Sequence, residues 1–299
     1  MNITIKNAAG LMLRYLVVFS AVCMAVMVST WIVPVRPELM EGINSLGAAF
    51  MAITMVNFAL TALVMFLYLR FSRTGGWRLA VGLLVVFWGA IYVMSQIESL
   101  IFNEALTSMT TRDIIDTVLR GLISNALSVP FAMWLTGRFK KGAGGQGAAP
   151  RIAVSEYAWK IPIGGALYVV VYWLFGYFVA WQFPAVREYY SGSTELVPFF
   201  AYTLASISGS PWFMGVQFLR GALWCLIALL AVRILGGKKL VSMIGVGAVF
   251  TLFGLQLLVP NPMMPTAIRV PHLIETTASM LLYGVFLGRF LHPRRPVAA

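Results

Sequence analysis

The chain alternates between long apolar runs and short polar breaks. Eight runs stand out, at about 11–33, 45–69, 78–102, 114–137, 160–183, 212–232, 240–259 and 271–289. A helix rises about 1.5 Å per residue, so each run is long enough to cross a hydrocarbon core of about 30 Å. The runs are continuous rather than alternating, which excludes a membrane β-barrel. The pattern predicts an all-α, polytopic integral membrane protein with eight transmembrane helices.

Composition agrees with this reading. Of 299 residues, 60% are hydrophobic and 11% charged, against about 25% charged in an average soluble domain. The net charge of +12 invites a nucleic-acid reading, but its distribution argues for topology. Sixteen of the 22 basic residues fall at the N-terminus, in every second loop and at the C-terminus, against a single acid, Glu156. The positive-inside rule therefore puts both termini in the cytoplasm, at the cytoplasmic membrane if the source is bacterial. No nucleic-acid partner is expected. The first run, with Lys6 and Arg14 before it, resembles a signal peptide. The residues before Cys23 do not suit lipoprotein cleavage, so the run reads as a retained span. Cys23 and Cys225 both lie in apolar runs and make no CxxC.

Three anchors recur in order. Trp31-Ile-Val-Pro34 closes the first run and Trp181-Gln-Phe-Pro184 the fifth. Arg70 before Gly75-Gly76 echoes Arg233 before Gly236-Gly237, and Gly137-Arg138-Phe139 echoes Gly288-Arg289-Phe290. The expectation is two parallel-repeat four-helix halves, residues 1–139 and 160–299, joined by a cytoplasmic Gly/Ala-rich linker over 140–159. The second half carries an external insertion, 185–211. Its apolar stretch from Val197 to Gly209 is too short to span, so it is either a re-entrant or interfacial segment or the start of a longer, kinked sixth span.

The polar residues inside the runs carry what chemistry the sequence offers. Arg220 lies 13 residues from Arg233, or roughly 20 Å into the bilayer. An isolated arginine there costs on the order of a few kcal/mol and needs a partner or water. Counting from the same membrane face puts Arg120, Glu275, His272, Glu98 and Gln182 at similar or shallower outer depth. Such a set can join helices by polar contacts or line a cavity open to the outside. Glu275 and Glu98 are the candidate partners of Arg220, and Asp116 can pair with Arg120 four residues on. His272 and Glu275, three apart on one face, suit a proton relay. With one histidine in the region, no metal or cofactor is expected. Thr110-Thr-Arg-Asp113 has the spacing of a helix capping box. Gly284-Val-Phe-Leu-Gly288 is a close-packing motif.

These residues support an outward-facing cavity centred on Arg220, with Arg120 beside it and Arg187 and Arg269 drawing in an anionic small molecule or lipid headgroup. Two alternatives stay open. One is an intramembrane enzyme using His272, Glu275 and Glu98 on a lipid-linked substrate; the other is a structural membrane subunit. The lipid bilayer is the one assured partner, and the oligomeric state is not legible.

Overall fold

The computed structural model describes residues 5–101, 109–140, 154–262 and 264–293. Among these, eight helices are long and apolar enough to cross a membrane: Asn7–Ile32, Gly47–Phe71, Gly76–Ile101, Thr111–Leu135, Ser155–Gln182, Pro211–Leu235, Lys239–Leu258 and Thr266–Phe290. They are numbered here as spans one to eight. All eight runs read from the sequence are present, with ends moved by no more than about a turn and a half. The protein is a multi-pass membrane protein, helical throughout the described residues apart from turns, extended segments and one isolated bridge between Asn261 and Met264. Most of the expected linker, residues 141–153, lies outside the described residues.

Local chemistry sets several helix ends. Span four starts on the expected capping box: the Thr110 hydroxyl accepts from the Asp113 amide, and the Asp113 carboxylate accepts from the Thr110 amide. It then runs unbroken through Pro130. Span six ends at Gly236 and Gly237, at φ of 55° and 74°. That region is open to glycine and strained for other residues. Span three holds a feature the pattern did not signal. Residues Gly89–Val93 form a π-turn, which adds one residue and so rotates the helix beyond it by roughly 100°. Glu98 stands on that rotated tail.

Spans seven and eight make the most extensive pairing. Their contact runs along the glycines: a Cβ on Gly284 would lie 2.9 Å from Gly247 Cα, and one on Gly288 would lie 2.5 Å from Ser242 O. Small residues let backbones approach where lipid gives helices no hydrophobic reason to associate. The fully buried side chains include Trp224, Phe250, Tyr283, Tyr68, Phe87 and Leu83. Spans two, three, six and seven meet across the middle of the chain, where Tyr68 of span two donates to Gly245 O of span seven at 3.0 Å.

The insertion is a sequence of separate pieces rather than an extended sixth span. A helix, Pro184–Ser191, is followed by extended chain and a second helix, Phe199–Gly209. Ser210 breaks the backbone, and Pro211 begins span six. At 11 residues the second helix is about 16 Å long, half a bilayer core. One face packs on span five, with Trp173 Nε1 donating to Thr203 Oγ1 at 2.8 Å and Tyr202 against Trp173, Tyr177 and Trp181. The other face leaves Phe200 and Leu204 exposed, at 85% and 70%.

Candidate functional site

Arg220 is almost fully buried, at 1% exposure. Its position on span six follows from a helix that must be apolar to cross the membrane, so the charge has to be answered from neighbouring helices. The answer comes from span three. Arg220 Nη2 donates to Glu98 Oε2 at 3.2 Å, and Nη1 donates to Gln217 Oε1 at 2.9 Å. Tyr168 of span five lies under the guanidinium, 5.7 Å from ring centroid to Cζ. Among the described residues, Arg220 Nε and Gln217 Nε2 find no acceptor.

Glu275, the other candidate partner, belongs to a different group. Its Oε2 accepts from Thr276 Oγ1 at 2.9 Å and lies 3.5 Å from His272 Nδ1. The three-residue spacing read from the sequence does bring His272 and Glu275 together. Tyr190, on the helix Pro184–Ser191, packs edge-on against His272 at 5.6 Å. Burial, followed by the charges of Glu98, Tyr189 and Glu275, pushes the Tyr190 phenol far above its usual range.

The two carboxylates share one narrow cavity. Glu98 and Glu275 line it with Tyr168, Tyr172, Thr276 and Ser279 as the other polar groups, and Val171, Phe253 and Met280 close it. Its volume is about 10 Å³, room for one water-sized species. Glu98 is the more open of the two acids, with its side chain 33% exposed against 10% for Glu275.

The remaining candidates lie elsewhere. Arg120 donates to the Val33 and Pro34 carbonyls at 3.4 and 3.3 Å and to Thr117 Oγ1 at 2.9 Å. It therefore ties span four to the end of span one. Asp116 pairs not with Arg120 but with Arg112, at 3.6 Å; that pairing keeps both charges nearer the helix end. Gln182 donates to Tyr177 O at 2.8 Å, closing the last turn of span five. Arg187 donates to the Thr194 and Trp181 carbonyls, and Arg269 to those of Leu257 and Leu258. These two arginines cap chain ends, which need donors for orphaned carbonyls, and so do not form an open basic funnel. Asn57, at the position matching Arg220 in the expected repeat, donates to Leu255 O at 2.8 Å. Among the described residues, no three His, Cys, Asp or Glu side chains gather in a metal-binding group.

Tyr168, Tyr172, Gln217 and Ser279 were not singled out from the sequence. Gln217 was findable, being three residues before Arg220 and so on its face. Tyr168 and Tyr172, four apart inside an apolar span, carried the same signal. Comparison with protein-family models, with curated proteins and with solved structures returns no match.

Proposed function

We propose that this membrane protein binds, and carries across the bilayer, a small cation held between Glu98 and Glu275. The observation that carries this reading is the placement of Arg220. The guanidinium stands behind Glu98, buried and bonded to it, so it cancels one of the cavity's two carboxylates. Among the described residues, Glu275 has only His272 within ion-pair reach, a group charged only when protonated. When both carboxylates are ionised and His272 is neutral, the cavity keeps one surplus negative charge, in surroundings where such charge is strongly felt. The rings of Tyr168, Tyr172 and Phe253 favour the same sign, because aromatic faces attract cations. A cavity of about 10 Å³ suits an ion of water size rather than a lipid headgroup.

The helix pairing supports a transport architecture. Span one pairs with two and four, and three with four; span five pairs with six and eight, and seven with eight. Between the halves, two meets seven and three meets six, which exchange under a two-fold axis. Span six also touches seven and eight, contacts without a first-half counterpart as extensive. We read this as two parallel halves about an axis along the membrane normal, with the basic end and both termini in the cytoplasm.

A second reading keeps the anion site first drawn from Arg220. It rests on the two buried donors, Arg220 Nε and Gln217 Nε2, that lack acceptors. Thermal unfolding of the purified protein separates the two. At constant chloride, replacing choline by sodium, potassium or ammonium should raise Tm, and Glu275→Gln should abolish the rise. A rise that follows sulfate or phosphate at constant sodium, and that needs Arg220, would establish the anion reading instead.

A further inference from the structure

At the opposite end of the bundle, two turns meet. The turn between spans two and three abuts the turn between six and seven, where the Arg73 amide donates to Ile234 O at 3.0 Å. The Arg73 side chain lies along Gly236 and Gly237. A Cβ at Gly237 would fall 2.7 Å from Arg73 Nε and Nη2, so only glycine leaves the guanidinium its place. Arg138, at the end of span four, is fixed on the same turn: its Nη2 donates to Ser72 O at 2.7 Å and to Thr74 O at 2.9 Å. Burial, and then the charge of nearby Arg70, push the Arg138 guanidinium below its usual range. Lys238 and Lys239 follow directly on the second turn.

Three guanidinium groups thus gather around one turn. Among the described residues, neither Arg70 nor Arg73 has a carboxylate within 4 Å. Glu156, the one acid the sequence places at this end, is bonded to Lys160 at 2.6 Å. Topology alone needs positive charge on this side; it does not need like charges held together at fixed positions, which costs energy. Exposed aromatic residues mark the level of the lipid interface here. Trp77 packs on Phe139 at 5.1 Å, and Arg70 lies over the Phe71 ring at 5.7 Å.

We propose that the junction of these two turns binds the phosphate of an anionic lipid headgroup through Arg70 and Arg73. Phosphate offers several acceptor oxygens to guanidinium forks, and a basic pocket between spans at the membrane surface is where such headgroups are held.

The test uses the full chain, delipidated in detergent and titrated with phosphatidylglycerol or phosphatidylcholine, with bound lipid counted by native mass spectrometry. Wild type should bind phosphatidylglycerol more tightly than phosphatidylcholine. Arg70→Gln with Arg73→Gln should weaken that preference by about 30-fold. The control pair Arg14→Gln with Arg289→Gln removes the same charge from exposed sites elsewhere and should leave it nearly intact. Equal loss in both pairs, or no lipid preference in wild type, would overturn the site. Competition by millimolar inorganic phosphate that displaces the lipid fully would keep the phosphate chemistry but overturn the lipid as its source. The Gln variants keep the fold's backbone contacts, and unchanged thermal unfolding without lipid verifies this.

Discussion

The pairing of Arg220 with Glu98 is open to a double-mutant cycle. Glu98→Gln leaves a guanidinium that is 1% exposed with only Gln217 and the Tyr168 ring for company. Removing one partner of a buried ion pair costs about 3–5 kcal/mol. Glu98 is one-third exposed, so the lower end, about 3 kcal/mol, is expected. Arg220→Met leaves Glu98 unpaired, but that carboxylate can turn toward water, and about 1–2 kcal/mol is expected. The double variant strands no charge, so its loss should fall well below the sum, with a coupling of about 2–3 kcal/mol. Reversible unfolding in mixed micelles gives all three values. Additivity within about 0.5 kcal/mol would refute the pairing. Arg220→Met combined with Glu275→Gln should be near additive, because Glu275 makes its contacts with His272 and Thr276.

Three further outcomes are expected. A Cβ at Gly221 would lie 2.5 Å from Tyr168 Cβ and 2.8 Å from the Gly165 backbone, so Gly221→Ala should destabilise by about 1–3 kcal/mol. Gly215→Ala, on the same helix with open space around it, should be neutral or stabilising, and thermal unfolding of the two variants checks both. His292, beyond span eight, is held below its usual pKa by burial and then by Lys239 and Lys160. The folded state therefore binds less proton than the unfolded one, and stability should fall as pH drops below about 6.5; His292→Gln should flatten Tm between pH 7.5 and 5.5. Cysteines placed at the exposed positions Lys238 and Glu195 should react with impermeant maleimide from opposite sides of sealed vesicles, and reaction from one side would break the eight-span topology.

What could be read ahead of the structure divides along a physical line. Spanning a bilayer needs about 20 apolar residues in a row, a local and one-dimensional property, so all eight helices were legible. The Thr110–Asp113 cap and the Gly284–Gly288 contact were legible for the same reason, since each depends on spacing within one helix. Depth is local too: counting residues from Arg233 did place Arg220 where its charge must be answered. The partner was another matter. Glu98 and Glu275 sit at similar heights, and which one meets Arg220 depends on rotation about the span axes. The π-turn at Gly89–Val93 turns the tail of span three by an amount that no apolar period signals, because almost every residue there is apolar. Sharing a level is also not sharing a site. Arg120 is at comparable depth, yet it bonds carbonyls at the end of span one, since a helix end with unpaired carbonyls competes for any nearby guanidinium. The same competition claims Arg187 and Arg269. Depth put Arg220 and Arg120 in the expected anion site, with Arg187 and Arg269 drawing the ligand in. Once three of them serve backbone carbonyls and the fourth serves Glu98, the group left facing the cavity is the carboxylate of Glu275, which is why the ligand proposed above is a cation.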